Sequence, residues 1–230
     1  MSNSEAKNAI FAAIRQNLAA SAPFDAAHQA HHGQPNADFS APVVREFSKE
    51  TLIETFRGNL EFVGGNFSLC YDESEAAEIL FSIIKEKTAR KIAVSDSPLV
   101  KKVAGFLKVD AEFIENASTD ILFESDLGVT SAQWAIAETG TLVLESESER
   151  HRLTSLVPPV HVCVLEARNI RQSLGEILAI LQTQLSRTVT FITGASRTSD
   201  IELTLAIGVH GPGELHVILI DEHPADAIKN

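Results

Sequence analysis

Apolar positions recur at helical spacing in five stretches of the chain. Ile10, Phe11, Ile14 and Leu18 share one face, which predicts an amphipathic helix near residues 4–20. Leu52, Ile53, Phe56 and Leu60 predict a second helix, with Ser48 placed to cap it. Asp72 and Glu75 stand at cap and third-residue spacing ahead of Ile79, Leu80, Ile83 and Ile84. Ser97-Pro98 supplies a cap followed by proline at the first helical position, before Val100, Val103, Ala104 and Leu107. The clearest stripe comes last: Ile170, Leu174, Ile177, Leu178, Leu181 and Leu185 fall on one face.

Between these helices lie short β-prone runs at residues 66–71, 91–95, 111–114, 134–137, 141–144, 161–165, 189–193, 203–209 and 215–220. Strands that alternate with helices need crossover connections. The expected architecture is therefore α/β, a mainly parallel sheet flanked by helices. The last two runs are joined by His210-Gly211-Pro212-Gly213, too short for a crossover helix, and so predict a C-terminal antiparallel hairpin. Residues 21–42 carry no periodicity and are rich in alanine, proline, asparagine and histidine, which reads as a linker. The chain is thus expected to divide into an N-terminal helix and arm at 1–45 and an α/β domain at 46–230. His28, His31 and His32 fall in the arm with little thiol or carboxylate support, so they read as a solvated loop and no metal site is expected.

Charge and cysteine usage narrow the function classes. Lysine plus arginine is 19 and aspartate plus glutamate is 31, a net charge of −12 in 230 residues. Such a surface repels phosphate backbones, which argues against nucleic acid as a partner. Cys70 and Cys163 are the two cysteines. They are too few for a four-thiolate iron–sulfur cluster or a four-cysteine zinc site. Each lies in an apolar run and reads as a buried structural thiol. Low cysteine usage suits a reducing compartment. Glu5, Lys7, Asn8, Arg15 and Gln16 interrupt any apolar core of a signal peptide. No run approaches the roughly 20 apolar residues that cross a bilayer, so a cytoplasmic protein is expected.

Three segments are denser in polar and special residues than packing requires. In the first, Glu138 interrupts an apolar run and is followed by Thr139 and Gly140. A carboxylate there is costly to bury unless paired. Glu138 is either a nucleophile, base or ligand-orienting acceptor, or a structural acceptor that pins the turn. In the second, Arg150, His151 and Arg152 gather before the strand that His161 opens. Arginines so placed can bind a carboxylate or phosphate, or pair with the acidic run 145–149. The third holds Ser196, Arg197, Thr198, Asp200 and Glu202, a loop able to line an anion site or to shape a connection between strands. It lacks the lysine and glycine spacing of a P-loop and the glycine pattern of a dinucleotide site. His210 and His216 flank the predicted hairpin.

Taken together, the segments Ala135-Ile136-Ala137-Glu138-Thr139-Gly140-Thr141, Pro158-Pro159-Val160-His161, Ser196-Arg197-Thr198-Ser199-Asp200-Ile201-Glu202, Gly208-Val209-His210-Gly211-Pro212 and Leu215-His216-Val217-Ile218 resemble the lactate-utilisation protein C family, whose members consist of a LUD domain. The resemblance spans roughly residues 47–221. Ala195 departs from it, since members often carry proline there. The resemblance implies a fold similar to the ribose-phosphate isomerase, glucosamine-phosphate deaminase and CoA-transferase group. It also implies a part in oxidising L-lactate to pyruvate beside iron–sulfur proteins. On that basis this chain carries no cofactor, and the clusters belong to partner proteins. The ligand would be a small carboxylate or phosphate-bearing molecule, met by Thr139, Gly140, Arg150, Arg152, His161, Ser196, Arg197, Thr198, Asp200, Glu202 and His210. The N-terminal helix is a candidate docking element. Two alternatives stand beside this non-redox subunit: a stand-alone anion-binding module, and a CoA-transferase-like enzyme using Glu138, by analogy of fold.

Overall fold

The computed structural model describes residues 7, 11–13, 47–146, 152–183, 186–199, 205–207 and 211–222. Contacts divide the chain into two units, Met1–Arg45 and Glu46–Asn230. In the first, residue 7 and residues 11–13 are helical, and the Lys7 ammonium lies 6.0 Å from the Phe11 ring centroid. The rest of the expected helix, the arm and its three histidines lie outside the described residues.

The second unit begins α1 (Lys49–Phe62), β1 (Gly65–Cys70), α2 (Glu73–Glu86), β2 (Lys91–Val94), α3 (Pro98–Phe106), β3 (Glu112–Glu115), α4 (Thr119–Glu124) and β4 (Leu127–Ser131). It continues with β5 (Trp134–Ile136), β6 (Thr141–Glu145), β7 (Val160–Glu166), β8 (Ile170–Arg171), α5 (Leu174–Leu181), β9 (Val189–Thr193), β10 (Arg197–Ser199), β11 (Leu205–Ile207) and β12 (Glu214–Ile220). Local chemistry sets the helix starts. The Ser48 hydroxyl accepts from Thr51 N. The Asp72 carboxylate accepts from Glu75 N, while the Glu75 carboxylate accepts from Tyr71 N. These bonds satisfy N–H groups that the first helical turn leaves open.

Six strands form a wholly parallel sheet in the order β1-β12-β7-β4-β2-β3. Successive side chains point to opposite faces. One face packs Val129, Val162, Val164 and Ile218 against Leu80 and Ile84 of α2 and Val103 of α3. The other sets Cys163, Leu165, Val217 and Leu219 against Phe56 and Leu60 of α1 and against Leu142 and Leu144 of a second sheet. That second sheet is mixed, in the order β8-β5-β6-β9. Its far face buries Ile136 and Val143 beneath Ile177 and Leu181 of α5.

The mainly parallel α/β architecture is the one expected from sequence, with two local corrections. The described part of the run at 203–209, residues 205–207, does not pair with 215–220. β11 instead pairs antiparallel with β10, one strand earlier, and β12 runs parallel between β1 and β7. The reason is apolar on both sides: Leu215, Val217 and Leu219 enter one core, and Ile218 and Ile220 the other. Such a strand needs cover on both faces, which a central parallel position supplies. The second correction concerns the last helical stripe. Ile170 belongs to β8, pairing with Ala135, and α5 begins only at Leu174, where the Ser173 hydroxyl accepts from Glu176 N. Leu185 lies outside the described residues.

Candidate functional site

From β2 the chain passes through α3 to β3 on one side, then through α4 to β4 on the other, so strand order reverses at β2. Open parallel sheets present ligands in the crevice beyond the carboxyl ends at such a reversal. A cleft of about 770 Å³ opens there, lined among others by Ser97, Lys102, Ser131, Trp134, Glu145 and Arg168. Its walls are cross-braced. The Trp134 indole N–H donates to Glu145 Oε1 at 3.0 Å, and the Ser186 hydroxyl donates to Oε2 at 2.7 Å. The Glu145 backbone N–H donates to Gln133 Oε1. The Arg171 guanidinium lies 4.6 Å from the centroid of the Trp134 ring, a cation–π contact. At the rim, Lys102 pairs with Glu73 and Arg168 with Glu166.

α3 enters this cleft differently from the other helices. Its first residue, Pro98, carries no N–H, and Ser97 makes no side-chain cap bond. The Ser97 hydroxyl is drawn 2.7 Å from that of Ser131, across the ends of the two strands. The positive end of the α3 dipole is thus not capped by Ser97. No residue of this cleft was a candidate ligand contact in the sequence. The available signals were Ser97-Pro98 directly after a strand and the single tryptophan.

The residues that did stand out gather mainly at the opposite, amino ends of the strands. His161, second in β7, is 1% exposed. Its Nε2 lies 2.8 Å from Thr130 Oγ1, while Nδ1 has no hydrogen-bond partner. Burial, and secondly the charge of nearby His216, push its pKa down to about 3, so the ring is neutral at ordinary pH. A cavity of about 310 Å³ brings His161 together with Ser196 and Arg197. Gly194, which precedes them, has φ of +78°, and a Cβ there would lie 2.3 Å from Val63 O. Arg197 Nη2 donates to that same carbonyl at 3.1 Å. Arg152 borders a separate small recess with Thr130 and Ser155. Arg150, Asp200, Glu202 and His210, and the Thr198 side chain, lie outside what is described.

The Glu138 segment forms the turn between β5 and β6. Exposed Glu138 accepts from Leu174 N at 2.9 Å, at the first residue of α5. The hydroxyls of Thr139, Thr141 and Thr193 form a chain with 2.7 Å links. Gly140 has φ of +64°, and a Cβ would meet Leu60 N of α1 at 2.4 Å. The Asn59 amide donates to Ala137 O, fastening the turn to α1. Glu138 lines neither the cleft nor the cavity.

Residues 53–220 match the LUD domain. The chain belongs to the LUD domain family. The match runs from inside α1 to the last residue of β12, and so takes in the residues of both concavities. Among LUD relatives, uncharacterized protein NMB1437 of Neisseria meningitidis is 37% identical over 51% of this chain and 53% of its own length. The chain therefore matches about half of that relative. Lactate utilization protein C of Deinococcus radiodurans is 29% identical over 81% of this chain and 88% of its own. Lactate utilization protein C of Bacillus subtilis is 30% identical over 43% and 44%. The fold is similar to the crystal structure of a DUF162 family protein from D. radiodurans, with TM-score 0.58 and 25% identity over 76% of this chain and 99% of that one.

The thiols of this LUD domain face apart. Cys70 lies in the core beneath α2, and Cys163 in the core beneath α1, on opposite faces of the sheet. Burial first, then the charges of Glu75 and Asp72, push the Cys70 thiol up to about 12, and its S–H points to Leu219 O. Thiolates ligate metals, and Cys70 is held as a thiol. The two sulfurs share no site.

Proposed function

We propose that this LUD domain chain is the cluster-free subunit of a lactate-utilisation system, offering its carboxyl-end cleft to a small organic acid while iron–sulfur partners carry the electrons. The observation that carries this reading is the position of the cleft, at the one end of the sheet where reversed strand order leaves room for a ligand. The lactate utilization proteins C among its relatives supply the metabolic setting. Removing hydride or electrons from lactate needs a redox group that ordinary side chains do not provide. Two buried cysteines on opposite faces cannot assemble a four-thiolate cluster. The acceptor then belongs to a partner, and the cytoplasm is the compartment this reading implies. No helix among the described residues is long and apolar enough to cross a membrane. The transferase alternative has less support, because the Glu138 carboxylate is engaged at the start of α5.

Trp134 is the only tryptophan, so intrinsic fluorescence reports on the cleft. L-lactate or pyruvate is expected to change it saturably, with a millimolar Kd worth about 4 kcal/mol. Arg168→Ala should weaken that response. An anaerobic pull-down from cells growing on lactate should recover iron–sulfur proteins. A flat titration removes the ligand site, and a pull-down without such partners removes the subunit role.

A further inference from the structure

We infer that the cavity at the amino ends of β7 and β12 is a second binding site, for a small oxyanion of the carboxylate or phosphate type, held by Arg197, Ser196 and the free nitrogen of His161. It lies at the far end of the strands from the cleft discussed above. Seven residues of β7 separate the two ends, a span of about 20 Å. It is a separate site from the carboxyl-end cleft, built from three of the residues that the family resemblance suggests as ligand contacts.

The first ground is an incomplete hydrogen-bond set. His161 is fully enclosed and contributes to the cavity wall; Thr130 takes Nε2, and Nδ1 has nothing to bond. Buried polar side-chain atoms are nearly always paired, so an orphan on a residue that lines a cavity asks for an occupant. The second ground is charge. The chain carries 31 acidic residues against 19 basic ones, yet the described lining of this cavity includes one guanidinium and no carboxylate. The carboxyl-end cleft, by contrast, mixes Glu145 and Glu166 with Lys102 and Arg168. Third, the Arg197 guanidinium has five N–H donors, and the one bond described for it uses Nη2, to Val63 O. That leaves donors of its planar fork for a carboxylate or phosphate. Leu156, Phe191 and Leu215 supply apolar wall beside these polar groups. A volume of about 310 Å³ sits at the lower limit of small-molecule sites and suits a compact metabolite.

The imidazole chemistry is consistent. A neutral ring has one N–H and one acceptor nitrogen. With an anion bound, the Thr130 hydroxyl donates to Nε2, and the ring proton resides on Nδ1, directed at the oxyanion. The ring need not carry a charge, which its burial opposes.

The test reads the ring itself. In the full-length protein labelled with 15N at histidine, two-bond proton–nitrogen spectra follow Nδ1 during titration with inorganic phosphate, and separately with acetate. Failure to titrate between about pH 5 and 8 marks the His161 signal among the histidines. Its disappearance in His161→Phe confirms the assignment where that variant folds. A saturable Nδ1 shift with one of the two anions is expected, and the anion that acts distinguishes phosphate-bearing from carboxylate ligands. Arg197→Gln should weaken the binding by about tenfold or more while leaving the melting temperature close to wild type. Trp134 fluorescence should stay flat with phosphate. An Nδ1 signal unmoved by both anions at tens of millimolar overturns the proposal, as does a shift that persists unchanged in Arg197→Gln.

Discussion

His161 shows how much one enclosed side chain sets for its surroundings. Its folded pKa is depressed to about 3 from an ordinary value near 6.5. A depressed histidine is neutral when folded and takes up a proton on unfolding once the pH drops below about 6.5. The unfolded chain then binds more protons, so stability falls as pH falls from about 6.5 towards 3. Carboxylates titrate over part of the same range, so the comparison has to be with a variant. Urea midpoints measured at pH 7, 6 and 5 are expected to fall more steeply for the wild type than for His161→Phe. Parallel curves would show that the ring is not held neutral. Gly140 makes a different point at the same scale. The site beside Leu60 N has no room for a Cβ, so a residue that reads as part of a ligand motif is also required by the approach of turn and helix.

At the scale of elements, α5 separates periodicity from burial. Its stripe is apolar throughout, but Ile177 is fully buried while Leu174 and Leu178 are 43% and 47% exposed. Those two leucines line a shallow groove with Phe191, on the side of the second sheet away from the main core. Ile177→Ala is expected to cost about 2–5 kcal/mol, and Leu178→Ala a small fraction of that, measured by chemical denaturation. Comparable losses at both positions would mean that the groove is covered in solution. α3 differs again. Its Ser-Pro start has the composition of a capped helix, yet the serine hydroxyl bonds to Ser131 instead. The sequence reveals where α3 begins. It does not reveal that Ser97 turns from the cap to the cleft, because the competing partner lies 34 positions away.

The same distinction holds for the whole molecule. Ser48 and Asp72 were legible because a cap and the N–H that donates to it lie three residues apart. The alternation of helices and strands was legible because each period is local. The pairing of β12 was not, because its neighbour β1 is about 150 positions earlier and no turn connects them. The two concavities divide along the same line. His161, Ser196 and Arg197 are polar residues in or beside loops, so composition pointed to them. The carboxyl-end cleft is assembled from positions between 97 and 186 whose residue types are individually ordinary.

The interior place of β12 has a consequence for how the protein is made. Every other strand of the main sheet leaves the ribosome first, yet β1 has no hydrogen-bonded neighbour in that sheet until β12 arrives. At ordinary synthesis rates β1 waits about ten seconds or more with an unsatisfied edge. Nascent chains stalled just short of Glu214 should be cut readily by protease, and chains released after Ile220 should resist. A sheet whose next-to-edge strand is delivered last spends its synthesis with one strand unjoined from the other four, and a chaperone that shields strand edges would be most useful in that interval.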